Sequence, residues 1–134
     1  MYGLLDISTS GMVAQRARLA VAAGNTANAY TVAGPDGEYA PYRRRSVILG
    51  EGSPGNSGDL GVHVQTIELN DGPFKKQYMP NHPFADAAGY VDFPDIDPAI
   101  ERINSIEAMR AYEANVTVAE TTKAMVGIAL RLLA

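Results

Sequence analysis

The first thirty residues carry a stripe of apolar and small side chains with helical spacing. The positions recur mostly every three or four residues, with Arg18 as the one charged interruption, which places them on one face of a helix over residues 4–28. Because many of these side chains are small, the helix would bury little surface alone and needs a partner helix. The stripe comprises Leu4, Ile7, Gly11, Ala14, Val21, Asn25 and Asn28.

Two asparagines stand three residues apart at the end of this segment. Asn is a poor residue for a helix interior, because its amide competes for backbone hydrogen-bonding groups. One interpretation is a frayed helix end with Asn caps. The other is that Asn25 and Asn28 form hydrogen bonds across a helix–helix contact and fix its register, meeting Tyr112, Glu113 and Asn115 of the second helix.

The C-terminal segment is predicted to form a single long helix. Asp97 followed by Pro98 is a helix-start signal, since an acid can cap the first turn and proline is tolerated there. No further proline follows and Gly127 is the only later glycine, so we expect a helix of roughly 50 Å. A heptad-like seam with one charged member runs along it. The seam comprises Met109, Tyr112, Val116, Ala119, Lys123, Val126, Leu130 and Leu133.

The middle of the chain is predicted to be a small β-rich insert. Residues 42–49 form a plausible strand after a proline, and 60–66 alternate in the manner of a half-buried strand. A glycine-rich loop over 50–58 connects them. Residues 74–78 and 89–94 are shorter extended segments. An insert of this size is too small for an enzyme cleft of normal volume.

Composition divides the chain in the same way. All eight prolines lie between Pro35 and Pro98, whereas alanine is concentrated in the two ends. The formal charge is +1 over residues 1–33, −5 over 34–98 and 0 over 99–134, against −4 for the whole chain. The ends can therefore be helical and the middle cannot be mainly so. The absence of cysteine excludes disulfides and a thiol nucleophile, and the acidity argues against nucleic acid as the main partner.

No group of residues has the spacing of a catalytic or metal site. His82 and Asp86 could both reach a metal ion, but two ligands do not make a site. Arg43, Arg44 and Arg45 lie on a predicted strand, where alternate side chains face opposite ways. We expect one rim contact and two solvated charges, with an acidic neighbour as the functional alternative. The chain is predicted to be no enzyme, to bind no cofactor, and to carry neither a spanning helix nor a cleaved signal peptide.

Several short motifs follow one another along nearly the whole chain. They are Leu5-Asp6-Ile7-Ser8, Asn25-Thr26-Ala27-Asn28, Pro41-Tyr42-Arg43-Arg44, Pro73-Phe74, His82-Pro83, Gly89-Tyr90-Val91 and Arg110-Ala111-Tyr112-Glu113-Ala114-Asn115. In these motifs the chain resembles the flagellar rod and hook axial proteins, most closely their proximal rod subunits. The resemblance implies a structural subunit of the bacterial flagellar basal-body rod in the periplasm. It also implies export through the flagellar type III apparatus without signal cleavage.

The resemblance further implies which partners the chain has. These are other copies of itself and neighbouring rod proteins of the FlgB, FlgF, FlgG and FliE types, which pack through terminal helices into a tube. Direct membrane insertion is not expected. Two alternatives remain at this point: another axial protein of the same family, or a small non-enzymatic binding module whose insert takes a ligand.

We therefore predict an α+β architecture. Helical segments over 1–33 and 97–134 pair as a coiled-coil-like stalk, and a β-rich domain over 34–96 is inserted between them. The termini are expected to be mobile before assembly and to order on docking. The predicted assembly interface consists of Ile7, Gly11, Ala14, Val21, Asn25, Asn28, Met109, Tyr112, Asn115, Val116, Ala119, Val126, Leu130 and Leu133.

Overall fold

Two long helices at the ends of the chain enclose four short strands. The computed structural model describes residues 2–54 and 59–133, so part of the predicted loop over 50–58 lies outside the described residues. The order of helix, β-rich insert and helix confirms the predicted α+β class. The elements are α1 (Tyr2–Ala27), β1 (Arg45–Glu51), β2 (Val62–Leu69), β3 (Lys75–Tyr78), β4 (Tyr90–Phe93) and α2 (Pro98–Leu133).

The start of α2 is where the sequence predicts it. Pro98 is the first helical residue. The Asp97 carboxylate accepts a hydrogen bond from the Ala99 N–H at 2.8 Å, so one of the unpaired donors of the first turn is satisfied. The helix then continues without interruption to Leu133.

α1 and α2 pack against each other in antiparallel directions. Asn25, near the end of α1, bonds to Glu101 in the first turn of α2, and Gly11 faces Asn115 further along α2. The residues buried along these two helices carry small or polar side chains, which lets the backbones approach closely. They are Ser8, Ala14, Ala22 and Asn25 on α1, and Glu101, Ala108 and Thr122 on α2.

The face of α2 that lies against α1 overlaps the predicted seam but is turned toward smaller residues: four of the eight seam residues are half-buried, and the fully buried positions lie beside the seam. Ala108 and Thr122 are buried, whereas Met109 and Lys123, one position further on, are exposed. One residue corresponds to about 100° around a helix. Close packing of small side chains decides the orientation here, because a row of larger side chains would hold the two backbones apart.

α2 is longer than its partner helix. With Gly11 opposite Asn115 and the helices antiparallel, α1 begins opposite about residue 124 of α2. The last turns of α2 therefore extend past α1. Their apolar side chains are exposed: Met125 and Ile128 are each 58% exposed, and Leu132 is 83% exposed.

The first two strands form a ribbon that runs along α1. β1 and β2 pair antiparallel, with a register shift between Ile48 and Leu49. At one end the Arg45 N–H donates to Asn25 Oδ1 of α1 at 2.9 Å. At the other end the Val62 N–H donates to Ser10 Oγ of α1 at 3.1 Å. These two anchor points are about 22 Å apart whether the residues are counted along the helix or along the strand, so ribbon and helix match in length.

A glycine permits the second of these anchors. Gly61 has φ +116°, and a Cβ at this position would lie 2.7 Å from Ser10 Oγ. Any other residue would be strained in this conformation and would push the ribbon away from α1. The Ser10 hydroxyl itself donates to the Ile7 carbonyl at 2.7 Å, which fixes the orientation of its oxygen.

The last two strands form a small hairpin that leads into α2. β3 and β4 pair antiparallel, and the Tyr78 and Tyr90 rings meet edge to face at 5.4 Å between centroids. Asp86 orders the connection between the strands: its carboxylate accepts hydrogen bonds from the N–H groups of Tyr90 at 2.8 Å and Ala88 at 2.9 Å. Val91 of β4 is fully buried and ties the hairpin to the body of the protein.

The Gly11–Asn115 contact gives a test of the helix seam. A Cβ at position 11 would lie 2.8 Å from Asn115 Nδ2, an atom that also donates to the Ala111 carbonyl. We expect Gly11→Ala to lower the free energy of unfolding by about 1 kcal/mol, because overpacking outweighs the gain in helix propensity. Urea unfolding followed by circular dichroism measures this.

The matched control lies in the same helix. A Cβ at Gly24 would have only the Tyr42 hydroxyl nearby, at an ordinary 3.8 Å. Gly24→Ala should therefore stabilise the protein by about 0.5–1 kcal/mol. Adding Asn115→Ala to Gly11→Ala should remove the penalty. A stabilising effect of Gly11→Ala equal to that of Gly24→Ala would contradict the described seam.

The Asp86 turn predicts a pH dependence. The hydrogen bond from Tyr90 N–H, followed by smaller contributions, holds the pKa of Asp86 below its ordinary value of 3.8. Since the folded-state pKa is depressed, the stabilisation is present above about pH 3.8 and is lost as the pH falls through the folded-state value. Asp86→Ala should weaken the hairpin at neutral pH, and its difference from the parent should shrink as the carboxyl of the parent is protonated. The amide NMR signals of Ala88 and Tyr90 report this; a difference that does not change with pH would count against it.

Candidate assembly site

A buried carboxylate holds together the three elements at the base of the helix pair. Glu101 is 2% exposed. Its Oε1 accepts from Arg44 Nε at 2.8 Å and lies 2.7 Å from Arg44 Nη2, so the guanidinium binds this oxygen through two nitrogens. Its Oε2 accepts from Asn25 Nδ2 at 3.0 Å. We call Glu101, Arg44 and Asn25 the junction, because they come from α2, the segment before β1, and α1 respectively.

Asn25 also joins the junction to the ribbon. Its amide is completely buried and pairs with the backbone of Arg45, donating to the carbonyl at 2.8 Å and accepting from the N–H at 2.9 Å. The Tyr42 hydroxyl lies 3.4 Å from the same Oδ1. One amide therefore fixes the end of α1, the start of β1 and the first turn of α2 at once, which no apolar side chain could do.

The two asparagines have different roles. Asn25 forms the hydrogen bonds between elements that the second interpretation predicts. Asn28 does not: it donates to the Gly24 carbonyl at 2.9 Å and accepts from the Thr31 hydroxyl at 3.2 Å, which is the local capping of the first interpretation.

The predicted meeting of these asparagines with Tyr112, Glu113 and Asn115 is wrong. Because the helices are antiparallel, Asn115 faces Gly11 and lies about 20 Å along α2 from the junction. Glu113 is exposed.

The arginine triplet is more internal than expected. Arg43 donates to the Asn70 carbonyl at 2.9 Å, and its guanidinium carbon lies 4.4 Å from the centre of the Phe74 ring. Arg44 binds Glu101, and only Arg45 is exposed. The expectation of two solvated charges is therefore wrong. The expectation assumed that all three arginines alternate along one strand, but Arg43 and Arg44 precede β1 and lie outside its regular pleat.

The type and position of Glu101 did not mark it as a site residue, because a Glu one turn into a helix is usually solvated. A signal was nevertheless present in its spacing: Glu101 begins a row of small or polar residues that recur every seven positions. That row, continued by Ala108, Asn115 and Thr122, is the one that faces α1.

The predicted interface residues divide into two groups in the structure. Eleven of the fourteen are buried or half-buried within the chain itself, including all six of the N-terminal segment. The other three, Met109, Leu130 and Leu133, are exposed on α2. Contact with neighbouring subunits stays a prediction for both groups.

A second stripe on α2 has no partner among the described residues. Its members are spaced 4, 3, 4, 3 and 4 residues apart, which is the heptad pattern of a helix-packing face. It lies roughly 60–120° around the helix from the row that faces α1, and every position in it is exposed. We call it the outer stripe; it comprises Ala114, Val118, Thr121, Met125, Ile128 and Leu132.

The described residues contain no arrangement suited to other chemistry. Within 2–54 and 59–133, no three His, Cys, Asp or Glu side chains come together as a metal site would require. No described helix combines the length and the apolar character needed to cross a bilayer.

The chain is similar to known proteins along almost its full length. Residues 87–132 match the family described as flagellar basal body rod FlgEFG protein C-terminal. The flagellar basal-body rod protein FlgC of Escherichia coli O6:H1 is 41% identical over 125 residues, which cover 93% of this chain and 92% of that protein. FlgC of Salmonella typhimurium gives the same identity and coverage. FlgC of Bacillus subtilis is 38% identical over 143 aligned positions, covering 96% of this chain and 95% of that protein.

The junction predicts unequal effects for its two charged members. Arg44→Ala would leave the Glu101 carboxylate buried without its counter-ion, so we expect a loss of about 3–5 kcal/mol in the free energy of unfolding. Glu101→Gln removes the buried charge itself, and Arg44 is 30% exposed and can turn toward water. The expected loss is then smaller, about 1–3 kcal/mol. Urea unfolding compares them.

Arg45→Ala is the control for this pair, because Arg45 is adjacent in sequence but exposed. Its effect should stay within about 0.5 kcal/mol. Equal effects of Arg44→Ala and Arg45→Ala would show that the junction does not hold the fold together.

Proposed function

Since this chain belongs to the FlgC family of flagellar basal-body rod proteins, we propose that it assembles into the rod through the uncovered surface of α2. The family makes it a structural, non-enzymatic subunit of the flagellar basal body, and the resemblance noted in the sequence is thereby confirmed.

The observation that carries the proposal is the amount of surface left exposed. A compact monomer of 14.3 kDa exposes about 6,800 Å². This chain exposes 9191 Å². The difference, roughly 2,400 Å², is of the size that permanent protein–protein interfaces bury. Part of the excess is apolar surface on α2, where Met125, Ile128 and Leu132 are each at least 58% exposed.

Two regions of α2 divide the proposed contacts. The outer stripe offers a heptad face to a helix lying alongside. The turns past α1 carry Val126, Leu130 and Leu133, which continue the side of α2 that α1 covers earlier in the helix. A helix from another subunit that packed there would extend the seam between α1 and α2, because side chains on the same side of α2 already pack against a helix earlier in the chain.

The remaining predicted interface residues have a different place in this proposal. Those on α1, together with Tyr112, Asn115, Val116 and Ala119, pack inside the chain and would meet a neighbour only if the helix pair opened. Met109 flanks the seam and is free to contact a neighbour directly.

The partners and location follow from the family. We propose that α2 packs against other copies of this chain and against rod proteins of the FlgB, FlgF, FlgG and FliE types. The subunit would reach the periplasmic rod through the flagellar type III export apparatus without signal cleavage. The segments 1–33, 34–96 and 97–134 then act as helix, insert and helix of one assembling unit, with the ends mobile until they dock.

The test uses two neighbouring positions on α2. Met125 belongs to the outer stripe, and Ala124, also exposed, points about 100° away from it. Each is replaced by Asp in cells that lack their own copy of the protein. We expect Met125→Asp to abolish swimming and rod formation, because a charge buried in an apolar seam costs several kcal/mol at every copy. Ala124→Asp should support both.

The isolated variants must remain folded for this comparison to be valid. Both positions are exposed, so both variants should unfold within about 0.5 kcal/mol of the parent. Normal rods from Met125→Asp would overturn the proposed surface, and loss of rods with both variants would show that its outer stripe is not the specific contact.

A further inference from the structure

A basic cavity opens beside the junction. It has a volume of about 190 Å³ and lies where α1, the segment leading into β1, and α2 meet. Arg18 of α1 and Arg45 of β1 line it together with Ser46 and Asn104. The only acid in its lining is Glu101, whose two oxygens are already bound to Arg44 and Asn25. The cavity therefore carries a net positive charge in a chain whose overall charge is −4.

The cations of the cavity are only weakly engaged within the chain. Arg45 is exposed, its guanidinium carbon lies 5.5 Å from the centre of the Tyr42 ring, and it forms none of the ion pairs found among the described residues. Arg18 lies 3.9 Å from the exposed Glu107 carboxylate and donates to Gln15 Oε1 at 3.1 Å, with 34% of its side chain exposed. Such a surface pair adds little.

The hydroxyl in the cavity is also a donor. Ser46 Oγ accepts from Arg44 Nη1 at 3.1 Å, which leaves its own proton available. Donors thus converge from two elements, and besides the bound Glu101 the side-chain acceptors in the lining are the neutral oxygens of Ser46 and Asn104. A carboxylate, which only accepts, is the group that fits.

One described turn of this chain presents such carboxylates on a rigid frame. The Gly34 N–H donates to the Glu38 carbonyl at 2.8 Å, and the Gly37 N–H donates to the Gly34 carbonyl at 3.0 Å. Asp36 and Glu38 project from this turn, are exposed, and take part in no ion pair between described residues. Acids on the ribbon side differ, because Glu68 and Asp71 lie beside Arg44 of their own chain.

We infer that the cavity of one copy receives the Asp36–Glu38 turn of a second copy. This contact rests on the proposed function, since it orders neighbouring copies within the rod. The cavity and the turn share no residue, so one copy can engage a second through its cavity and a third through its turn; repeated head to tail without closing, contacts of that kind generate open helical assemblies. Opposite charges on rigid elements also set the register between copies while each remains soluble alone.

A charge exchange tests the contact. One variant carries Arg18→Glu and Arg45→Glu, a second carries Asp36→Arg and Glu38→Arg, and a third carries all four changes. In cells lacking their own copy, the first two should lower rod yield and swimming by about tenfold or more, because like charges then face each other. The four-fold variant should restore both. The four side chains are at least partly exposed, so purified variants should unfold like the parent.

Arg16→Glu is the matched control. Arg16 is exposed on α1 two residues before Arg18, and it does not line the cavity. It should leave rods and swimming unchanged. The contact is overturned if the four-fold variant fails to restore folded, exported subunits to the rod, or if Arg16→Glu is as harmful as the cavity variant. Met125→Asp addresses the outer stripe separately, so failure here leaves the proposed assembly through α2 standing.

A cross-link adds a direct readout. The described chain has no free cysteine, and the sequence has none at all, so introduced cysteines report unambiguously. A chain carrying Ser46→Cys and Glu38→Cys should give, on oxidation of isolated rods, a series of products at multiples of 14.3 kDa that begins at twice that mass. A chain with Cys at position 16 in place of 46 should not. Absence of the product, or a product formed only with a different rod protein, would overturn the contact between copies.

Discussion

The buried carboxylate of Glu101 is the constraint from which the arrangement of this protein follows. Taking a carboxylate out of water is costly, and only a partner with good geometry and further hydrogen bonds offsets that cost. Arg44 and Asn25 meet this need from two other parts of the chain. Glu101, Arg44 and Asn25 can form these bonds together only when the end of α1, the start of β1 and the start of α2 lie at one place. The junction therefore selects a single arrangement among the many that a small apolar core would tolerate.

The register between α1 and α2 depends on the junction, because the contact between the two helices buries little apolar surface. Ala14, Ala22 and Ala108 bury little area each, and small side chains allow neighbouring registers at little cost. Anchors at both ends of the ribbon, at Asn25 and Ser10, add a second restraint along α1. Specificity in this fold comes from polar contacts at fixed points, while the apolar residues that could supply more free energy lie on the surface of α2.

That distribution suits a subunit whose final packing is intermolecular. A globular domain of this size would turn Ile128 and Leu132 inward, yet here they are exposed on a helix that has no further partner among the described residues. The same logic applies to charge, since the cations that the junction does not use line a cavity, while Asp36 and Glu38 form no ion pair with other described residues. A family of structural basal-body subunits provides the setting in which such surfaces are covered by neighbours.

Prediction from the sequence worked where local chemistry decides. The Asp97–Pro98 start of α2 and its uninterrupted length follow from capping and from the absence of proline, and the motif order was enough to identify the family. It failed where side chains distant in sequence compete. The predicted seam on α2 is only partly covered: Met109 and Lys123 are exposed, and the buried positions are Ala108 and Thr122 beside them, because small side chains let the two helices approach closely.

The sequence by itself determined the two helices, the extended insert and the division of charge between them, since each depends on neighbours within a few turns or strands. Only the tertiary structure decided that Asn25 bonds across elements while Asn28 caps its own helix, that Arg44 binds Glu101 while Arg45 is exposed, and that Glu101 is the centre of the fold. Each of these depends on which distant group arrives at hydrogen-bonding distance, a matter of antiparallel register and ribbon length that no local pattern encodes.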